Sequence, residues 1–263
     1  MQLKHTHAPA ALPRSGCRSA ARVLVLSLLA SASATSKAAD WSTTNVQLLY
    51  GDGYELGDNS MAIMTVEHAN GWKYGDNFFF LDVSNPASEG TSHFAEFSPR
   101  LSLGKLSGKD MSFGIVKDVL AAGTLEMGDA VRAYLFGIGL ALDLPGFAFA
   151  DINLYYRESE RDWLLEQSDA GAQITIDWLL PIQLGGQKLA FEGFADYAWG
   201  EKGGSAPKAD NLVAGPRLLI DIGNWFGAPG TLQAGVEYQI WRSKFGVKGV
   251  DEDIPQAMIK WTM

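Results

Sequence analysis

The fold class is decided by the stretch Glu96-Phe97-Ser98-Pro99-Arg100-Leu101-Ser102-Leu103-Gly104. Polar and apolar residues alternate along it, so that every second side chain is charged or carries a hydroxyl. Because successive side chains of an extended strand point to opposite faces, such a strand has one polar face and one apolar face. A soluble sheet with one wet face would show the same alternation. The rest of the chain must therefore decide between a soluble sheet and a sheet that spans a membrane.

The N-terminus predicts export. It carries only basic charges ahead of an apolar run at residues 23–30, and small residues follow at Ser36-Lys37-Ala38. The run is too short to span a bilayer, and this order is that of a cleaved secretory signal. We predict a signal peptide over residues 1–38 and one domain over residues 39–263, with cleavage after Ala34 as the alternative.

Composition after the signal excludes several classes of protein. Removing five of the 21 Lys and Arg residues with the signal leaves 16 against 30 Asp and Glu, a net charge of 16 − 30 = −14. Nucleic acid and anionic lipid both demand a cationic surface, so neither is an expected partner. The single cysteine, Cys17, precedes the apolar run, which excludes a lipoprotein anchor and any disulfide in the mature chain. No long apolar run follows, which excludes a helical inner-membrane protein.

Alternating segments recur along the whole mature chain. We predict about twelve strands, at residues 44–50, 61–70, 76–83, 94–104, 111–121, 131–143, 147–157, 172–180, 188–199, 211–222, 231–243 and 256–263. Gly, Pro and Asp mark the connectors between them, as in Leu144-Pro145-Gly146 and Gly185-Gly186. Behind an export signal this pattern predicts an all-β fold, a transmembrane antiparallel meander β-barrel with an apolar outside and a polar lumen.

Strand parity sorts the polar residues. Phe79, Leu81 and Val83 form a wholly apolar face, so the opposite face of that strand points inward. The same rule predicts a lumen of aromatic rings, carboxylates and arginines, to which we assign Phe78, Phe80, Asp82, Glu96, Arg100, Glu192, Asp196, Arg217, Glu237 and Trp241. Rings offer faces for stacking and charges offer hydrogen bonds to a solute. Alternatively, the rings fill a narrow barrel and the ion pairs brace its wall.

Several stretches resemble the nucleoside-specific channel-forming Tsx porins and the related OmpK outer-membrane proteins. The most specific is residues 65–82, and residues 98–103, 116–120 and 237–241 are also similar. The resemblance implies a monomeric twelve-stranded barrel in the outer membrane of a Gram-negative bacterium, with a narrow lumen that binds nucleosides and passes them by diffusion. It implies substrate-binding roles for Phe78, Phe80, Asp82, Glu96 and Arg100. Outer-membrane lipid and the barrel-insertion machinery are the other implied partners.

Three rival functions stay open. An outer-membrane phospholipase would need a His-x-Ser-Asn-Gly motif, and His68-Ala69-Asn70-Gly71 lacks the serine, so no catalytic residue is assigned. No cofactor or metal is expected either, because no His, Cys or carboxylate spacing fits one, and we interpret Asp251-Glu252-Asp253 as a solvated loop. A structural or receptor barrel and a channel for other small polar solutes are the remaining alternatives.

Overall fold

The fold is a single closed β-sheet. A computed structural model describes residues 39–86, 88–129, 131–161, 166–167, 170–202 and 208–263, so the predicted signal peptide lies outside the described residues. The strands are β1 (Trp41–Asp52), β2 (Ser60–Trp72), β3 (Gly75–Ser84), β4 (Ser92–Ser102), β5 (Val116–Gly128), β6 (Val131–Leu142), β7 (Phe149–Arg161), β8 (Glu166–Gln167), β9 (Gly171–Leu184), β10 (Gln187–Trp199), β11 (Asn211–Ala214), β12 (Arg217–Asp221), β13 (Leu232–Arg242) and β14 (Glu252–Thr262).

Neighbours in sequence are neighbours in the sheet, and β1 closes it by pairing with β14. The two-residue β8 only extends the edge of β7. Strands β11 and β12 are halves of one wall strand, interrupted at Gly215 and Pro216 while the register against β10 and β13 continues unchanged. The wall therefore has the twelve antiparallel strands that the sequence predicts, and both ends of the described chain lie at one end of the barrel, called here the terminal end.

Inside and outside alternate along each strand. On β14, Glu252, Ile254, Gln256, Met258 and Lys260 are buried, while the residues between them are exposed. On the outer surface Phe136 is 63% exposed and Leu154 is 54% exposed. Because a membrane barrel places its apolar parity in lipid and its polar parity in the lumen, this pattern orients the whole wall.

The connectors differ in length between the two ends. The terminal end carries the two-residue turn at Gly185 and Gly186, as predicted, but also the long segment 103–115. That segment contains the helix α1 (Leu103–Ser107), whose first turn is capped by Ser102 Oγ accepting from the Lys105 amide at 3.0 Å. Two 3₁₀ turns, Gly223–Phe226 and Lys244–Gly246, follow β12 and β13.

Within the described ranges, no helix is long and apolar enough to cross a membrane.

Several predicted boundaries are wrong. Strand 111–121 begins at Val116 and continues to Gly128, because Phe113 and Val116 pair across a tight turn ahead of the wall. Residues 103 and 104 belong to α1 rather than to β4. The last strand begins at Glu252, not at Gln256, so the acidic stretch 251–253 is not a solvated loop: Glu252 is 2% exposed and faces inward.

Candidate functional site in the lumen

All ten residues assigned to the lumen lie on the inward face of the wall. Cross-strand pairs show this directly, since Phe80 on β3 lies opposite Glu96 on β4 and Arg217 on β12 lies opposite Glu237 on β13. Asp82 accepts a hydrogen bond from the inward-facing Thr65 hydroxyl at 2.5 Å. The inward placement follows from parity, and a role for these residues in binding a solute stays a prediction.

Arg217 is the centre of one group of charges. Its Nε donates to Glu237 Oε2 at 2.5 Å, while its Nη1 lies 3.6 Å from Glu67 Oε2 and 3.7 Å from Glu192 Oε1. Lys260 Nζ donates to the same Glu192 oxygen at 2.7 Å. The side chain of Arg217 is only 14% exposed. A buried guanidinium keeps its charge when several carboxylates surround it. The ion pairs of Arg217 therefore link β12 to β2, β10 and β13 through the lumen.

Glu67 is held by β1 as well. Asn45 Nδ2 donates to Glu67 Oε1 at 2.9 Å, and Gln47 Nε2 donates to Glu67 Oε2 at 3.1 Å. On the other side, Gln256 Nε2 donates to Glu237 Oε1 at 3.1 Å. The carboxylates around Arg217 are therefore fixed by amide side chains and not by the arginine alone.

Arg100 joins two further carboxylates. Its Nε and Nη2 donate to the two oxygens of Asp76 at 2.8 and 3.1 Å, and its Nη1 lies 3.0 Å from Asp151 Oδ2. Asp76 is on β3 and Asp151 is on β7, so the second contact spans strands that are not adjacent in the wall. The forked pair fixes the guanidinium plane.

Arg157 on β7 makes the third group. It binds Glu126 in a fork, with Nη1–Oε1 at 2.5 Å and Nη2–Oε2 at 2.7 Å, and Gln173 accepts from Nη1 at 2.8 Å. Glu201, which follows β10, folds inward to 3.5 Å from Arg157 Nε and accepts from Ser159 Oγ at 2.7 Å. A connector thus reaches into the lumen at the end opposite the termini, called here the loop end.

A row of aromatic rings lies along β3 and β4. The ring centroids of Phe78 and Phe80 are 6.0 Å apart, and those of Phe80 and Phe94 are 5.8 Å apart, with tilted planes in both pairs. We call these three rings the phenylalanine row. Glu96 lies directly across from Phe80, and its Oε1 accepts from Ser98 Oγ at 2.5 Å. The row therefore presents ring faces next to a carboxylate.

A second aromatic group lies at the loop end. Lys244 Nζ donates to both oxygens of Glu252 at 2.8 Å and lies 4.5 Å from the centre of the Trp241 ring. Phe245 packs against Trp241 at 4.8 Å, and the Tyr54 hydroxyl donates to Gln256 Oε1 at 2.9 Å. Burial lowers the pKa of Lys244, although its bonds to Glu252 favour the charged form. We call this group the loop-end clasp.

Sequence reasoning missed several inward-facing partners. Asp76 lies inside the predicted strand 76–83 and shares the parity of Phe78, so parity alone could have identified it, and Lys260 shares the parity of Glu252. Glu126 was missed because the predicted strand ended at Ala121. Lys244 and Tyr54 lie in connectors, where parity gives no direction. His68 Nδ1 lies 2.8 Å from Thr44 Oγ1 on the outward parity, away from the lumen, and within the described part of the chain no His, Cys, Asp and Glu cluster could hold a metal ion.

Known proteins resemble this chain over most of its length. The family model of the nucleoside-specific channel-forming protein Tsx matches residues 37–251. The outer membrane protein OmpK of Vibrio parahaemolyticus serotype O3:K6 is 31% identical over 209 residues, covering 68% of this chain and 76% of that protein. The nucleoside-specific channel-forming protein Tsx of Salmonella typhimurium is 30% identical over 149 residues, covering 52% of each chain.

Solved porin structures are among those that align with this chain. The KdgM porin aligns with a TM-score of 0.45 and 11% identity, covering 84% of this chain and 98% of its own. The NanC porin aligns with a TM-score of 0.49 and 9% identity, covering 83% of this chain and 98% of its own.

Proposed function

Because this chain belongs to the family of the nucleoside-specific channel-forming protein Tsx, an outer-membrane channel family and not an enzyme family, we propose that it is a nucleoside-selective diffusion channel. In this proposal nucleosides cross the lumen down their concentration gradient, the barrel works as a monomer, and no bond is made or broken. The ten inward-facing residues predicted from the sequence are its substrate-binding wall.

The observation that carries this proposal is the phenylalanine row beside Glu96 and Asp82. A base has a flat π-face and a ribose has hydroxyl donors, so adjacent rings and carboxylates match the two halves of a nucleoside. Stacking one base on one aromatic ring is worth about 1–3 kcal/mol. A gain of that size favours capture of the solute but still permits release, which a conducting lumen requires.

The remaining charges act as a fixed frame in this account. Arg100 and Arg217 are each bound by two or more carboxylates, so they are positioned by the wall rather than free to follow a solute. Side chains fixed in this way would not move into the lumen in front of the phenylalanine row.

The test is solute flux into liposomes that carry the refolded protein. Nucleosides, sugars and amino acids of similar size are supplied singly, over a range of concentrations. Nucleoside influx that is faster and that saturates supports the proposal. Equal, non-saturating influx of all solutes would replace it with a general channel for small polar solutes. No influx of any solute would favour a closed structural or receptor barrel.

A further inference from the structure

Four carboxylates among the described residues of the lumen form no direct ion pair. Among the described residues, no lysine or arginine lies within ion-pair distance of Asp82, Glu96, Asp177 or Asp196. Each accepts instead from a neutral group: Asp82 from Thr65, Glu96 from Ser98, Asp177 from Asn153 at 3.4 Å, and Asp196 from the Thr175 hydroxyl. These four residues are called the unpaired carboxylates. They contrast with Glu126, Glu237 and Asp151, which are bound by arginine.

Two of the four, Asp177 and Asp196, lie on adjacent strands of the wall. Asp177 on β9 lies directly opposite Phe194 on β10 and Asp151 on β7, and Asp196 lies opposite Thr175, two residues along the same inward face. Glu96 lies directly opposite Glu126 on β5. Like charges that share a low-dielectric wall raise the affinity of the space between them for a cation.

Buried amide groups point to a ligand independently of the charges. Asn153 is 2% exposed, and its Nδ2 donates to Asp177, which fixes the amide orientation and leaves Oδ1 as an acceptor. That oxygen lies over the inward face of Gly139 and has no hydrogen-bond partner among the described residues. Gln47, fully buried, likewise has an unpartnered Oε1 because its Nε2 donates to Asn45 and Glu67. Both orphaned amide atoms are acceptors, so a donor or a cation would satisfy them. Asn153 lies beside Asp177, whereas Gln47 lies on β1 beside Glu67.

We propose that the lumen is cation-selective, and that Asp177, Asp196 and Asn153 form the wall that gives preference to monovalent cations over anions. This proposal deepens the proposed function, since it requires a conducting lumen and implies that neutral or cationic solutes pass while anionic solutes of the same size are excluded. It does not require that the solute be a nucleoside.

Electrostatics gives the scale of the preference. A narrow path whose wall carries an excess of one sign of charge concentrates counter-ions, by about 10- to 1000-fold where that sign dominates. Because the arginines of the lumen are bound by their own carboxylates, they offer an anion few free donors. We therefore expect K⁺ to permeate at least about tenfold faster than Cl⁻.

The experiment is the zero-current potential of the full-length protein in a planar bilayer between two KCl concentrations. Asp177→Asn combined with Asp196→Asn removes two carboxylates at nearly constant volume. Glu89→Gln combined with Asp143→Asn is the matched control, because both residues are exposed in connectors at opposite ends of the barrel. Migration of unheated protein in gels verifies that each variant is folded.

A cation preference that falls several-fold in the lumen variant but not in the control supports the proposal. A wild-type channel that prefers Cl⁻, or that does not discriminate, would overturn it whether or not the variant folds. A preference that the lumen variant leaves unchanged would overturn the assignment to Asp177 and Asp196. Cation selectivity without saturable nucleoside flux would overturn only the proposed function, and absence of any current would overturn both.

Discussion

Arg217 and Glu67 meet across the lumen, with Arg217 Nη1 3.6 Å from Glu67 Oε2. Arg217 is on β12 and Glu67 is on β2, and three strands, β13, β14 and β1, separate them along the wall. The contact is therefore a chord of the barrel. It joins distant parts of the sheet.

Removing the arginine from this chord is expected to destabilise the barrel. Arg217→Gln leaves Glu67, Glu192 and Glu237 with less compensation for their buried charge, and breaking a buried ion pair costs about 3–5 kcal/mol. The measurement is the free energy of unfolding by denaturant in lipid vesicles. Arg132→Gln is the control, because Arg132 is 53% exposed and its 3.7 Å pair with Glu160 should contribute about 1 kcal/mol or less. Equal losses in the two variants would contradict the account.

Phe80 and Phe79 give a matched pair on one strand. Phe80 belongs to the phenylalanine row, whereas Phe79 lies opposite Phe97 on the outward face. Phe80→Ala is expected to raise the half-saturation concentration for nucleoside flux about tenfold, within the range of about 1–3 kcal/mol for a lost stacking partner. Phe79→Ala should leave that concentration unchanged. If both variants shift it equally, the rings of the row are only wall packing.

Removing the charge of Lys244 should release the loop-end clasp. Lys244→Gln removes the ion pair with Glu252 and frees the connector 243–251, so the single-channel conductance is expected to rise. Lys248→Gln in the same connector is the control, since Lys248 is exposed. Ser243 and Phe245 on either side of Lys244 have positive φ angles of 49° and 55°, which non-glycine residues adopt at a cost that the clasp must offset.

The same clasp predicts a pH dependence. Burial lowers the pKa of Lys244, so its ammonium loses its proton at a lower pH than a free lysine does. The ion pair is present below that pKa and is lost as the pH rises through it. Wild-type conductance should therefore increase on the alkaline side before free lysine titrates, and Lys244→Gln should show no such step. A step of equal size in the variant would assign the pH effect to another group.

Gly193 allows two wall segments to approach each other. Its φ is +155°, and a Cβ there would lie 2.5 Å from the carbonyl oxygen of Gly215, where β11 ends and β12 has not begun. Gly193→Ala is expected to lower the free energy of unfolding by about 1–3 kcal/mol. Gly186→Ala is the control, because a Cβ at Gly186 meets no atom within 4 Å. A neutral Gly193→Ala variant would show that the break at Gly215 can relax.

The wall could be predicted where inward residues are polar and outward residues are apolar. On β3 this contrast is strong, and the predicted strand 76–83 differs from the structure by one residue at each end. On β5 and β6 the inward face includes Ala122, Ala133 and Leu135, which are as apolar as the lipid face. Contrast between the two faces is absent at residues 121–123, so the predicted strand 111–121 ends seven residues early, although the alternation resumes at residues 124–127.

The inward-facing residues could be predicted one strand at a time, but the contacts across the lumen between non-adjacent strands could not. Parity identifies Arg100 as inward-facing, yet nothing local indicates that it reaches Asp151 on β7. Such contacts depend on strand tilt and on the barrel diameter, which are properties of the closed sheet. The same limit applies to Lys244, which enters the lumen from a connector. The sequence therefore predicts which residues line the lumen, and closure of the barrel determines which of them form ion pairs with one another.

The central claim is that the lumen binds nucleosides, and the most direct measurement is single-channel current in the presence of added nucleoside. A solute that occupies the phenylalanine row should reduce the K⁺ current in a saturable way, and a sugar of similar size at the same concentration should not. A nucleoside and a sugar that reduce the current equally, or not at all, would contradict the account.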